Sequence, residues 1–133
     1  MRTENALSKL LGSMRPQLHD EVYVFATMAD AIDLETLKPR LLFVEAEGTT
    51  LVLTKYQAEA RGLQYEFPCR MITLRVRSSL DAVGFIAAVT TWLANEAISV
   101  NPVSAFFHDH LFIPADRADD AMISIGELSK QFR

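Results

Sequence analysis

The chain has 133 residues, of which 50% are hydrophobic and 23% are charged. This length and composition fit one compact globular domain or two very small ones, and they exclude disordered and fibrous proteins. Thirteen Lys and Arg residues against seventeen Asp and Glu residues give a net charge of −4, so we expect neither nucleic acid nor an anionic membrane as a partner.

Cys69 is the only cysteine, which excludes an intramolecular disulfide and a multi-cysteine metal cluster. No stretch reaches the ~18 apolar residues that a membrane span requires, and residues 1–5 lack the apolar run of a leader peptide. We therefore expect a soluble, cytoplasmic protein without a cofactor.

The first elements in the chain are predicted to be a helix and a strand. Thr3 is the expected N-cap of a helix, in which apolar residues recur at helical spacing as far as Met14. Residues 21–28 alternate between two sets of side chains, which predicts a strand.

A hairpin is predicted next. Residues 41–46 and 49–54 are both typical of strands, and they flank Glu47-Gly48, where the glycine permits a tight turn. The preceding residues 29–39 contain aspartates and end in proline, which favours a loop or a short helical turn. Residues 55–62 form a short helix candidate.

The second half opens with a strand over residues 69–76 and continues with the clearest helix of the sequence. Ser79 is the predicted N-cap of this helix, and Asp81 follows in its first turn. The expected buried stripe consists of Ala82, Phe85, Ile86, Val89 and Leu93.

Two further strands and a final helix complete the chain. The strands are predicted over residues 98–106 and 110–113, and Pro102 requires an edge or a bulge because it cannot donate to a ladder. Asp116 is the expected N-cap of the last helix. Its buried stripe consists of Ala118, Ala121, Met122, Ile125 and Leu128.

This order of elements predicts an α+β protein with antiparallel sheets covered by helices. The strand, irregular connection, hairpin and short helix of the first half look like a degenerate copy of the second half. We therefore expect an N-terminal half over residues 1–68 and a C-terminal half over residues 69–133.

The segment from Asp81 to Ser99 resembles the aspartate, glycine, apolar helix and following strand of ACT domains. Residues 78–84, 108–114 and 45–53 are similar to bacterial tandem ACT proteins, most of them without an established function, and the arrangement is similar to that of the CASTOR arginine sensors. The resemblance implies a ferredoxin-like fold and a regulatory protein that binds an amino acid or a similar metabolite. Val83 and Ala97 depart from the proline and glycine of many members.

The resemblance directs attention to the bend before the long helix, where a helix N-terminus and two serine hydroxyls could receive a ligand carboxylate. Asp109, brought near by strand pairing, could hold an ammonium or guanidinium group. The alternative is that Ser79 only caps the helix, Gly84 only permits packing and Asp109 only fixes a turn. The candidate ligand-binding residues are Ser78, Ser79, Leu80, Val83, Gly84, Asn101, Val103, Ser104 and Asp109.

We expect at least a homodimer, because ACT folds commonly associate through sheet edges or helices. Gly84, Ala88, Thr91 and Asn95 form a helix face that is either a dimer contact or a partly solvated surface.

The second hypothesis for the function is a structural interaction module that has lost its ligand pocket.

A metal or catalytic site has little support in the sequence. His108 and His110 would share a strand face, but two histidines do not complete the coordination shell of zinc, and hydrogen-bonded strand histidines are the simpler interpretation. A small enzyme based on these histidines is the third hypothesis. Since no nucleophile elbow, phosphate loop or metalloprotease motif occurs, we assign no catalytic and no metal residues.

Overall fold

The computed structural model describes residues 3–29 and 33–133, except for the side chains of residues 3–5. This part of the chain forms five α-helices and six β-strands. The helices are α1 (Thr3–Ser13), α2 (Leu34–Leu37), α3 (Lys55–Ala60), α4 (Phe85–Asn95) and α5 (Ala118–Lys130). The strands are β1 (Arg15–Met28), β2 (Leu41–Glu45), β3 (Gly48–Thr54), β4 (Glu66–Arg75), β5 (Asn101–Ser104) and β6 (Asp109–Pro114).

The chain divides into two compact units. The large unit consists of the described residues up to Asp20 together with Arg70–Arg133, and the small unit is Glu21–Cys69. Strands follow the order β1-β4-β6-β5 in the large unit and β2-β3-β1-β4 in the small unit, and the registers of the β1–β3, β2–β3 and β5–β6 pairs are antiparallel. The predicted α+β class with antiparallel strands is confirmed.

The core of the large unit joins α1, α4 and α5 to β4 and β6. Each of these helices carries an apolar stripe at helical spacing, which is why one face of each is buried. The sole tryptophan, Trp92, donates its indole N–H to the Ser124 backbone and side-chain oxygens, both at 2.9 Å. The buried residues of this core are Leu11, Met14, Ile72, Leu74, Phe85, Val89, Leu93, Ile98, Leu111, Ile113, Ala121, Ile125 and Leu128.

The small unit has its own buried cluster, formed by Val24, Ala26, Leu37, Leu51, Leu53 and Ala58. Helix α3 begins at a capping box in which Thr54 and Gln57 bond each other's backbone N–H groups. The hairpin is confirmed, but its turn lies one residue earlier than predicted, at residues 46–47, and Gly48 begins β3. A Cβ atom at Gly48 would lie 2.8 Å from Thr27 Oγ1, which explains the glycine.

Helix α4 begins later than the sequence predicts. Gly84 is its N-cap, in a left-handed backbone conformation with φ 92°, and none of the described side chains caps the helix. Ser79 instead opens a turn, since the Ala82 N–H donates to the Ser79 carbonyl over 3.0 Å. The predicted Ser79 cap is therefore wrong, because the chain turns once more before the helix starts.

Two other termini differ from the expectation. Asp116 lies in a 3₁₀ turn, Ala115–Arg117, and Arg117 is the N-cap of α5, so the predicted Asp116 cap is wrong. Strand β1 starts at Arg15 rather than at Glu21. The expected Thr3 cap rests on a side chain outside the described part of the structure.

The end of α4 has the hydrogen-bond pattern of a Schellman motif. The Ile98 N–H donates to the Leu93 carbonyl over 3.0 Å, and the Ala97 N–H donates to the Ala94 carbonyl over 2.9 Å. Ala97 has φ 59°, a conformation that glycine adopts without steric cost. A glycine at position 97 would therefore avoid a steric cost that the alanine bears.

Candidate functional site

A cavity of about 140 Å³ lies in the large unit, at the end of the β5–β6 hairpin. Ser104 and Asp109 form the terminal register pair of this hairpin, and the Ala105 N–H closes it by donating to the His108 carbonyl over 3.0 Å. The segment after β4 and the start of α4 supply the other walls. The lining residues are Ser78, Ser79, Leu80, Ala82, Phe85, Ile86, Ser104, Ala105, His108 and Asp109.

Asp109 is the charged group of this cavity, although only 8% of its surface is exposed. One carboxylate oxygen accepts a hydrogen bond from the Ser104 hydroxyl, and the other accepts one from the Ser78 hydroxyl over 3.5 Å. A buried carboxylate requires such donors, because burial removes its hydration. The two contacts connect the bend after β4 to the hairpin.

Five of the nine predicted ligand-binding residues line the cavity, namely Ser78, Ser79, Leu80, Ser104 and Asp109. Val83 is exposed, and Gly84 is the N-cap of α4. Asn101 and Val103 lie in β5 opposite Phe112 and His110. These last four residues are not among the lining residues. Five residues line the cavity without having been predicted as ligand-binding residues, namely Ala82, Phe85, Ile86, Ala105 and His108. The predicted apolar stripe included the first three and was a signal for them.

An adjoining cavity of about 360 Å³ extends this region and shares Ser78, Ser79 and Leu80 with it. Phe106 and Phe107 form its aromatic wall, with 77% and 61% of their surfaces exposed. Their rings meet edge to face with centroids 5.0 Å apart. A polar recess around Asp109 therefore lies next to an aromatic, accessible wall, and the exposed Arg77 side chain also lines the adjoining cavity.

The histidines form hydrogen bonds rather than a metal cluster. His110 Nδ1 lies 2.9 Å from the Thr73 hydroxyl, and His19 Nε2 lies 2.8 Å from the same oxygen. His108 Nδ1 lies 3.4 Å from the Val76 carbonyl. In residues 3–29 and 33–133, no three His, Cys, Asp or Glu residues are grouped as metal ligands.

The thiol of Cys69 is fully buried in the small unit and donates to the Tyr23 carbonyl over 3.4 Å. Burial raises the pKa of this thiol to about 12, because the thiolate would lose its hydration. The protonated form is a poor nucleophile.

Within the described residues, no helix has the length and apolarity to cross a membrane.

Comparisons with known proteins identify the fold. A family model for the ACT domain matches residues 2–70, and a second ACT domain model matches residues 66–124. No protein among those with curated functions matches the sequence.

Three solved structures are similar over most of their lengths. A Vibrio cholerae protein of unknown function, described as a possible transport protein, is 39% identical, with a TM-score of 0.87 over 96% of this chain and 99% of that one. An Agrobacterium tumefaciens protein is 14% identical, with a TM-score of 0.74 over 87% and 89% of the two chains. The ligand-free regulatory subunit of aspartate kinase from Thermus thermophilus is 8% identical, with a TM-score of 0.63 over 89% and 97%.

The last two likenesses concern the fold alone, since their sequence identities are low. The two family models together span most of the chain, and the Vibrio cholerae relative matches nearly all of it. This chain therefore belongs to the ACT domain family, with two ACT domains in tandem and the family's ferredoxin-like α+β fold.

Proposed function

We propose that this protein is a non-enzymatic ACT-type sensor that binds an amino acid or a similar small metabolite in the cavity at Asp109. The observation that carries the proposal is an almost fully buried carboxylate that lines a small polar cavity beside the start of α4. The proposed ligand-binding half is residues 69–133, with residues 1–68 as a degenerate ACT-like half. The fold shared with an aspartate kinase regulatory subunit supports a regulatory role.

Asp109 is proposed to hold the ligand ammonium. An ionised carboxylate has two oxygens with about four lone-pair positions, and here the Ser78 and Ser104 hydroxyls occupy one position on each oxygen. The remaining positions can accept charge-assisted hydrogen bonds, which are about twice as strong as neutral ones. The ligand ammonium would thus bind the lone-pair positions of Asp109 that the two serine hydroxyls leave unoccupied.

The start of α4 is proposed to receive the ligand carboxylate. The Ala88 N–H donates to the Gly84 carbonyl over 2.9 Å as the first bond within the helix, so the amides of residues 85–87 precede that ladder. Phe85 and Ile86 line the cavity. The partial positive charge of a helix N-terminus favours an anion here, opposite the negative charge of Asp109.

The size of the cavity suggests how the ligand side chain is selected. A volume of about 140 Å³ is below the roughly 300–1,000 Å³ of pockets for drug-sized ligands. A ligand larger than the polar recess would extend into the adjoining cavity, against Leu80, Phe106, Phe107 and the side chain of Arg77. We therefore expect a preference for amino acids with apolar or aromatic side chains.

Assembly is the proposed means of reporting occupancy. β5, which carries Ser104, is the last strand in the pairing order of the large unit. Edge strands present unpaired backbone groups that can pair with another copy. A ligand changes the assembly only if it binds one assembly state more tightly than the other. Ligand contacts to Ser104, a residue of the edge strand, allow such a difference in affinity.

The second candidate function is a structural interaction module without a ligand. The observation that favours it is the exposure of Phe106 and Phe107 beside Leu80, which is itself 67% exposed. Clustered exposed apolar side chains are typical of protein contacts. This module would capture a partner independently of any metabolite.

A thermal-shift screen of the standard amino acids separates the two functions. The sensor hypothesis predicts that at least one amino acid raises the melting temperature, because a ligand that binds only the folded state stabilises it. Sedimentation velocity with that amino acid then tests whether assembly changes. No stabilisation by any member of the panel would contradict the sensor and leave the interaction module.

A further inference from the structure

The largest of the cavities described is separate from the Asp109 site. It has a volume of about 470 Å³ and lies entirely within the small unit. This volume is within the range that is typical of ligand pockets. The lining residues are Glu21, Tyr23, Lys38, Pro39, Arg40, Thr54 and Gln57.

The guanidinium of Arg40 is held in place by the buried Tyr23 side chain. Arg40 Nε and Nη2 donate to the Tyr23 hydroxyl over 3.1 and 2.8 Å, and the guanidinium carbon lies 5.5 Å from the centre of the ring. Only 2% of the tyrosine surface is exposed, so the anchor itself is fixed. A cation that is already positioned loses less side-chain entropy when it binds a ligand.

Lys38 adds a second cation on a constrained backbone. Its φ of 46° is left-handed, and its N–H donates to the Leu34 carbonyl over 3.0 Å. Pro39 restricts the next φ angle, and the Arg40 N–H donates to the Val52 carbonyl over 2.7 Å. The backbone that carries both cations is therefore anchored on either side of the proline.

Two further lining residues are polar but uncharged. Thr54 and Gln57 bond each other in the capping box of α3, and the Gln57 amide also donates to the Leu37 carbonyl over 2.8 Å. Among the described residues that line the cavity, Glu21 is the only carboxylate, against two cations. The cavity thus has an excess of positive charge in a chain whose net charge is −4.

We propose that this cavity is a second ligand site, which binds a small metabolite through its carboxylate or phosphate group. Arg40 is the principal binding residue, because a planar guanidinium matches the oxygens of either group with two parallel hydrogen bonds. Lys38 adds a point charge, and the Gln57 side-chain amide supplies the N–H that does not donate to the Leu37 carbonyl. The site does not depend on ligand binding at Asp109, since the two cavities share no residue.

Titration of the full chain with inorganic phosphate and with succinate, followed by amide NMR and calorimetry, tests the second site. We expect amide shifts centred on Lys38, Arg40 and residues 54–57. Arg40→Gln is expected to weaken binding at least about tenfold, since it removes a charge-assisted contact. Arg61→Gln removes the same charge from an exposed residue of the small unit outside the cavity, and we expect a change below about twofold.

Lys38→Gln is the second variant, and it keeps the test decisive if Arg40→Gln fails to fold. It too is expected to weaken binding more than Arg61→Gln does. Binding of neither probe at millimolar concentration, or equal losses in the cavity and control variants, would overturn the proposal. Amino-acid stabilisation through Asp109 is expected to persist in Arg40→Gln, so failure of one site is distinguishable from failure of the other.

Discussion

Ser104 and Asp109 face each other across the end of the β5–β6 hairpin, and the serine hydroxyl donates to the aspartate carboxylate. The same carboxylate accepts a hydrogen bond from Ser78 in the bend after β4. One buried charge therefore both fixes the walls of the cavity and faces the space between them. Because the proposed ligand contact would be a second role of Asp109, its stability contribution and its contribution to ligand affinity need separate measurements.

Ser104→Ala should destabilise the protein by about 1 kcal/mol, the usual net contribution of one hydrogen bond. The cost stays small because Ser104 is exposed and water can replace part of the contact. Urea unfolding measures the change. Ser99→Ala, at another exposed serine, is the control, and an equal loss in both variants would contradict a structural role of the Ser104–Asp109 contact.

Ala97→Gly should stabilise the protein by about 0.5–1 kcal/mol. The left-handed conformation costs an L-residue about 1–2 kcal/mol, and the larger unfolded-state entropy of glycine offsets part of the gain. The matched control is Ala94→Gly, at an exposed position inside α4, which should lose about 0.5–1 kcal/mol. Thermal unfolding should therefore shift in opposite directions, and a loss in both variants would refute this account of the α4 terminus.

Thr73→Val should destabilise the protein by about 2 kcal/mol, because the hydroxyl bridges His19 and His110. Only 3% of the Thr73 surface is exposed, so water cannot readily replace it. Denaturant unfolding measures the loss. Thr91→Val removes an exposed hydroxyl from α4 and should change stability by less than about 0.5 kcal/mol. Similar values for the two variants would show that the bridge contributes nothing.

Stability should fall as the pH rises above 9, in part because of Cys69. Burial raises the pKa of this thiol to about 12 in the folded protein, whereas the unfolded thiol has its ordinary pKa of 9.0. Between these values the unfolded state binds fewer protons, which favours unfolding by up to about 1.4 kcal/mol per pH unit.

Urea unfolding of the wild type and of Cys69→Ala, at about pH 8 and about pH 10, tests this dependence. The alanine variant lacks the thiol and should lose less stability over this interval than the wild type. Equal losses in the two proteins would show that the thiol does not contribute.

Local sequence patterns predicted much of the fold, because they report which face of an element is buried. Of the predicted stripe, Phe85, Val89 and Leu93 are buried in α4, whereas Ala82 is exposed and precedes the helix. Pro102 indicated an edge or a bulge, and β5 is an edge strand. The same reasoning failed at the start of α4. A serine cap is a common signal, but Gly84 adopts a left-handed conformation that starts the helix after a further turn.

Contacts between residues distant in the sequence could not be predicted in this way. His19 and His110 meet at Thr73 only because strands β1, β4 and β6 are neighbours. Likewise, nothing local to Arg40 indicates that Tyr23 holds its guanidinium. Lys38 and Arg40, which flank Pro39, are the sequence signal for this second cavity. The sequence does not show that the buried Tyr23 fixes the Arg40 guanidinium there.

Calorimetric titration of the wild type and of Asp109→Asn with the most stabilising amino acid tests the sensor proposal most directly. The substitution keeps the shape of the side chain but removes the charge that would hold the ammonium, whereas Asp20→Asn removes a charge from a fully exposed side chain outside the cavity. We expect saturable binding to the wild type, at least about tenfold weaker binding to Asp109→Asn, and little change in Asp20→Asn. Equal affinities in all three proteins would contradict ligand capture by Asp109.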